Sequence, residues 1–67
     1  MIDTENLTNY EILDLITDYE LNIVQVNGEI RVANYQEGCE IAAQTKGGIS
    51  EAIRAWARRY NEVMEND

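Results

Sequence analysis

The 67-residue chain has no histidine, no proline, no phenylalanine and only one cysteine. Each shortage removes a class of chemistry. Without an imidazole there is no Ser-His-Asp or Cys-His relay. One cysteine and no histidine do not furnish a zinc site, and a lone cysteine closes no disulfide within the chain. No run approaches the roughly 18 apolar residues of a membrane span, and the first residues lack a basic stretch ahead of an apolar one, so a soluble, cytoplasmic protein is expected. Bases are scarce too: 5 Lys plus Arg stand against 13 Asp plus Glu, for a net charge of −8. No metal, no cofactor and no enzymatic activity are expected, which leaves surface charge and shape to carry the function.

A hydrophobic fraction of 45% with 27% charged residues reads as globular rather than disordered. Residues 1–67 form one small domain, with 1–6 expected as a frayed polar tail. A core of this size supplies roughly 3–5 kcal/mol without staples, so pairing with a partner or as a homodimer is a plausible supplement.

Thr8 and Glu11 have the spacing of a capping box, and Leu7 with Ile12 that of a hydrophobic staple. Ile12, Leu15, Ile16 and Tyr19 continue at helical spacing, which predicts a first helix over 9–20. Asn27-Gly28 between β-branched runs predicts a two-residue type I′ hairpin, because both turn residues need positive φ. That turn pairs Val26 with Glu29, Gln25 with Ile30, Val24 with Arg31 and Ile23 with Val32. Ile23, Gln25, Ile30 and Val32 are assigned to the core face, leaving Val24 and Val26 exposed on the other. A second turn at Gln36-Glu37-Gly38 leads to a third strand with Cys39, Ile41 and Ala43 inward, a helical turn over Glu40 to Thr45 being the alternative. Ile49, Ala52, Ile53, Trp56, Ala57, Tyr60, Val63 and Met64 form one stripe of a second helix over 49–64, with Gly48 as N-cap and Arg58 paired to Glu62. The expected fold is α+β in the order α-β-β-β-α: a three-stranded antiparallel meander with two helices on one face.

The charge is lopsided. Residues 1–30 hold Asp3, Glu5, Glu11, Asp14, Asp18, Glu20 and Glu29 and no base, whereas residues 31–67 hold five bases and six acids. Glu11, Asp14 and Asp18 fall on one exposed face of the first helix. Like charges at this spacing cost some tenths of a kcal/mol each, and the net charge strains a thin core further. An acidic face is often only a solvated face, but uncompensated carboxylates suit a basic surface such as a nucleic-acid groove. Four acids, including Glu20, on a helix of about 12 residues give roughly one charge per 4.5 Å, about the density of a single phosphate strand and not of a duplex. The expected partner surface is therefore Glu11, Asp14 and Asp18, supported by Glu20, Glu29, Asp3 and Glu5.

Other residues carry blander readings. Cys39 reads as a buried structural thiol. Lys46-Gly47-Gly48-Ile49-Ser50 lacks the spacing of a phosphate-binding loop. Nothing in the sequence desolvates Glu37 and Glu40 enough for acid–base work. Arg54, Arg58 and Arg59, expected on the outer surface of the second helix, suit the chain's own acids or a protein partner better than nucleic acid. Trp56 and Tyr60 read as core, and Tyr10 and Tyr35 as interface anchors.

The Leu7-Thr8-Asn9-Tyr10-Glu11-Ile12 helix start, the Asn27-Gly28 hairpin and the Ile49-Ser50-Glu51-Ala52-Ile53-Arg54-Ala55-Trp56 closing helix resemble small open reading frames of phages and prophages. In size, acidity and build the chain is similar to the anti-CRISPR proteins, small inhibitors of CRISPR effector complexes, several of which are acidic decoys on a DNA-binding surface. The resemblance covers the whole chain in general character. Anti-CRISPR proteins share no common sequence pattern, so no residue is carried over by position. The resemblance implies a non-enzymatic inhibitor in the cytoplasm of a bacterial host. Its partner is a basic nucleic-acid-binding complex, with no direct contact to nucleic acid or membrane. The alternatives are a small interaction or assembly module, a homodimer among them, using Val24 and Val26 or the arginine face of the second helix, and an accessory factor that lays that helix on DNA.

Overall fold

Two tight turns set the register of the whole sheet. In the computed structural model, which describes residues 2–65, the elements run α1 (Asn9–Asp18), β1 (Asn22–Val26), β2 (Glu29–Gln36), β3 (Cys39–Thr45) and α2 (Ile49–Glu65). Asn27 and Gly28 have φ of +51° and +82°, and Glu37 and Gly38 repeat the pattern at +53° and +82°. Both are the left-handed pairs that a two-residue hairpin requires. The pairings of β1 with β2 are those expected, from Val26 with Glu29 to Ile23 with Val32. β2 then pairs antiparallel with β3 from Gln36–Cys39 to Ile30–Thr45, which places β2 in the middle of an α+β meander.

One core joins the layers. Val32 and Ile41 from the sheet, Ala52, Ile53, Trp56 and Ala57 from α2, and Ile12 and Leu15 from α1 form a single buried cluster. Tyr19, Trp56 and Tyr60 stack around it with ring centroids 5.0–5.3 Å apart. Asn34 is the buried polar side chain on the inner face of β2. It accepts from Trp56 Nε1 at 3.0 Å, and its Nδ2 reaches the Tyr19 carbonyl at 3.4 Å.

Several local expectations change, and Gln25, assigned to the core face of β1, is exposed on this edge strand. Cys39 is exposed, not buried, because it follows Glu37-Gly38 at the tip of the second hairpin; Ile41, two residues on, is the inward residue that reaches the core. Ile49 is 53% exposed, in the first turn of α2 ahead of the covered part of its stripe. Arg59, not Arg58, bonds Glu62, at 3.3 Å. Arg54 turns inward instead of decorating the surface, and its guanidinium donates to the carbonyls of Thr4 and Leu7.

That last contact bears on the expected frayed tail. Residues 2–6 are held: Asn61 Nδ2 donates to the Ile2 carbonyl at 2.7 Å, and Asn61 Oδ1 accepts from the Ile2 N–H at 2.9 Å. Ile2 and Leu7 also pack against the core. Met1, Asn66 and Asp67 lie outside the described residues.

Candidate acidic interface

α1 begins where its capping box predicts. The Glu11 N–H donates to Thr8 Oγ1, while Glu11 Oε1 accepts from the Thr8 N–H and hydroxyl. The same contacts take Glu11 partly out of service as a partner-facing acid, since its carboxylate already answers two local donors. Asp14 and Asp18 are exposed on α1 and have no ion-pair partner among the described residues.

α1 stops earlier than the periodicity suggests, at Asp18 rather than Glu20. Glu20 adopts φ of +52°. The Leu21 N–H returns to the Ile16 carbonyl at 3.0 Å and the Glu20 N–H to the Thr17 carbonyl. These two bonds, with Leu21 and Ile16 both packed on the core, make a Schellman ending with glutamate where glycine is usual. Glu20 therefore leaves the helix, and the helical face keeps three acids over ten residues, about one per 5 Å.

The other acids occupy separate places. Asp3 Oδ1 accepts from the backbone N–H groups of Glu5 and Asn6, and Asp3 Oδ2 from the Asn6 side chain. Those bonds hold its carboxyl below the usual range, led by the one from Glu5. Glu5 is exposed beside this turn, and Glu29 is half-buried at the hairpin, at the opposite end of β1 from Glu20. Asp14, Asp18 and Glu20 thus follow one another along α1 and its exit. Asp3 and Glu5 lie before the helix, and Glu29 stands apart from both groups.

Among the described residues no base makes an ion pair with a carboxylate of residues 2–30. Arg31 bonds Glu40 at 2.8 Å and Arg59 bonds Glu62, both acids of residues 31–67. Arg54, which does reach the first segment, takes backbone carbonyls there rather than carboxylates. α1 also has no base in its last turn, so the negative end of its dipole adds to Asp18 and Glu20.

Sequence reasoning missed an open groove of about 300 Å³ on the outer sheet face, bounded by Tyr19, Glu20, Asn22, Arg31, Tyr35 and Glu40. Arg31 stands opposite Gln44 and Glu40 opposite Tyr35, so their side chains meet over the intervening Ala33–Ala42 pair. That roof leaves Ala33 only 4% exposed although no helix covers it. The alternation of Arg31, Ala33 and Tyr35 marks this face in the sequence, but the long reach of Arg31 does not. Tyr35 and Tyr10, the suggested anchors, are 74% and 82% exposed.

Among the described residues no group of acids, cysteine or histidine is arranged to hold a metal, and no helix is long and apolar enough to cross a membrane. No family model, no curated protein and no solved structure matches the chain at a significant level.

Proposed function

We propose that the chain is a non-enzymatic inhibitor that occupies a basic nucleic-acid-binding cleft of a bacterial host complex, with Asp14, Asp18 and Glu20 in the place of phosphates. The observation that carries this reading is the absence, among the described residues, of any ion pair to a carboxylate of residues 2–30, whereas Glu40 and Glu62 of the second half are paired. Leaving like charges at 14 and 18 without a compensating base costs stability of some tenths of a kcal/mol, and a cationic partner recovers it. Glu11 and Asp3 serve the fold first, and Glu5 and Glu29 add long-range attraction. A CRISPR effector complex is the target that the anti-CRISPR resemblance suggests.

Competition tests it. Purified CRISPR effector complexes are loaded with labelled target DNA, and the protein is added at rising salt. Release of DNA that weakens with salt, and is lost in the Asp14→Lys, Asp18→Lys double variant, supports the proposal. Equal potency of that variant refutes the acidic face, and no release from any effector refutes the target.

The outer sheet face favours a second reading, a small assembly module. Val24 and Val26 are 42% and 36% exposed, and Tyr35 stands on the same face. A dimer that persists at high salt, seen by sedimentation, distinguishes this from the electrostatic inhibitor.

A further inference from the structure

β1 is an edge strand without the usual protections. It pairs with β2 alone, and no backbone hydrogen bond outside that ladder reaches residues 22–26 among those described. Edge strands are ordinarily blunted by a charge, a proline, a bulge or a covering helix. Asn22-Ile23-Val24-Gln25-Val26 has neither charge nor proline, and its register with β2 runs without a bulge. The opposite edge differs, since β3 includes Glu40 and has α2 packed against it.

The register fixes which groups are free. A two-residue hairpin makes Val26 and Glu29 a hydrogen-bonded pair, and the alternation continues to Val24 and Asn22. The N–H and C=O groups of Ile23 and Gln25 therefore point away from β2, toward open solvent. Glu20 lies at one end of this vacant ladder and Glu29 at the other, both without an ion-pair partner among the described residues.

Those two carboxylates select the occupant. A second copy paired antiparallel about Val24 would bring the Glu20 of each chain to the hairpin of the other, beside its Glu29, twice over. Like charges so placed oppose the pairing. An extended segment with a base at each end meets the same carboxylates favourably, and Val24 and Val26 offer apolar neighbours to its side chains. We infer that β1 accepts a lysine- or arginine-flanked extended segment of a partner protein as a fourth strand. The inference rests on the reading of the chain as a binder of basic protein surfaces, and it names the main-chain part of that contact.

The test uses a short capped peptide of alternating threonine and valine with lysine at both ends, and a twin with glutamate at both ends. On titration into the ¹⁵N-labelled full chain, the lysine peptide shifts the Ile23 and Gln25 amides and slows their hydrogen exchange at least about tenfold. The glutamate twin does neither. Gln25→Pro removes an outward N–H while sparing the β1–β2 ladder, so it weakens binding at least about tenfold with the far-ultraviolet spectrum unchanged. Glu20→Gln with Glu29→Gln weakens binding and flattens its salt dependence. No shift at Ile23 and Gln25 overturns the inference. So do shifts confined to α1, an outcome that leaves the acidic-face reading standing, because only the strand contact has then failed. A dimer of the free chain that Gln25→Pro dissolves overturns it as well, by assigning the edge to a second copy.

Discussion

The indole N–H of Trp56 and the side-chain oxygen of Asn34 meet at 3.0 Å where both residues are buried. This bond ties the middle strand to α2 through the centre of the core. Replacing Asn34 with leucine leaves a buried indole donor and the Tyr19 carbonyl without a side-chain partner. A loss of about 1–3 kcal/mol is expected, a large part of the roughly 3–5 kcal/mol such a core supplies. At about 4–8 °C per kcal/mol for a domain of this size, the melting temperature falls accordingly, and tryptophan fluorescence during urea unfolding measures it. A change within about 0.5 kcal/mol denies the bond its structural role.

Thr8→Ala removes the acceptor for the Glu11 N–H and costs about 1 kcal/mol. Glu11→Gln retains a side-chain oxygen that can accept from the Thr8 N–H, so it costs less. The comparison by thermal unfolding shows whether Glu11 serves the helix start. If Glu11→Lys destabilises the fold by a similar amount, its effect on partner binding is read only after correction for unfolded protein.

The capping box and the Asn27-Gly28 turn were legible in the sequence because each depends on residues a few positions apart. The helix exit was not. Ile16 and Tyr19 keep a pattern compatible with more helix, and the residue in the left-handed position is a glutamate, so the glycine that announces such an ending is missing. Asn34 was equally hidden, since a polar residue on a strand shows its burial only when a tryptophan from 22 residues further along arrives above it. Arg54 was misplaced for the same reason: its acceptors, the Thr4 and Leu7 carbonyls, are about 50 residues away and are backbone groups that no charge pattern reveals. Of the candidate acids, the sequence located Asp14 and Asp18 on an exposed helical face, but not the separation of Glu20 from it.

Glu20 offers a direct contest between folding and binding. At φ of +52° a glutamate is strained where glycine is not, so Glu20→Gly is expected to stabilise the chain by about 1 kcal/mol. Asp18→Asn relieves an acid at the negative end of a helix dipole and adds about 0.3–1 kcal/mol. Under the proposed function both variants bind a basic partner more weakly. Denaturation and DNA-release assays on the same preparations check the pair of effects, and a variant more stable and equally potent argues against its acid in the interface.

Two groups give the stability a pH dependence. Asp3 has its carboxyl held below the usual 3.8 by three hydrogen bonds, so its contribution is complete above that value and is lost as pH falls through its lower folded value. The Tyr19 phenol is raised above 10.0, first by burial and then by the neighbouring Tyr60 phenol. Its neutral form is favoured in the fold, so this contribution is complete below pH 10 and declines as pH rises through the elevated value. Tyr19→Phe should flatten the alkaline arm and Asp3→Asn the acid arm of a stability–pH curve from urea unfolding.

The bare margin of the sheet has a cost under acid conditions. Near the isoelectric point of about 4.2 the molecule's net charge, and with it its overall self-repulsion, vanishes. Nothing then keeps one exposed Ile23-Val24-Gln25 backbone from docking on another, and the chain should precipitate or grow fibrils from that strand. The negative charge thereby acts as a solubility guard, whichever basic surface it also meets.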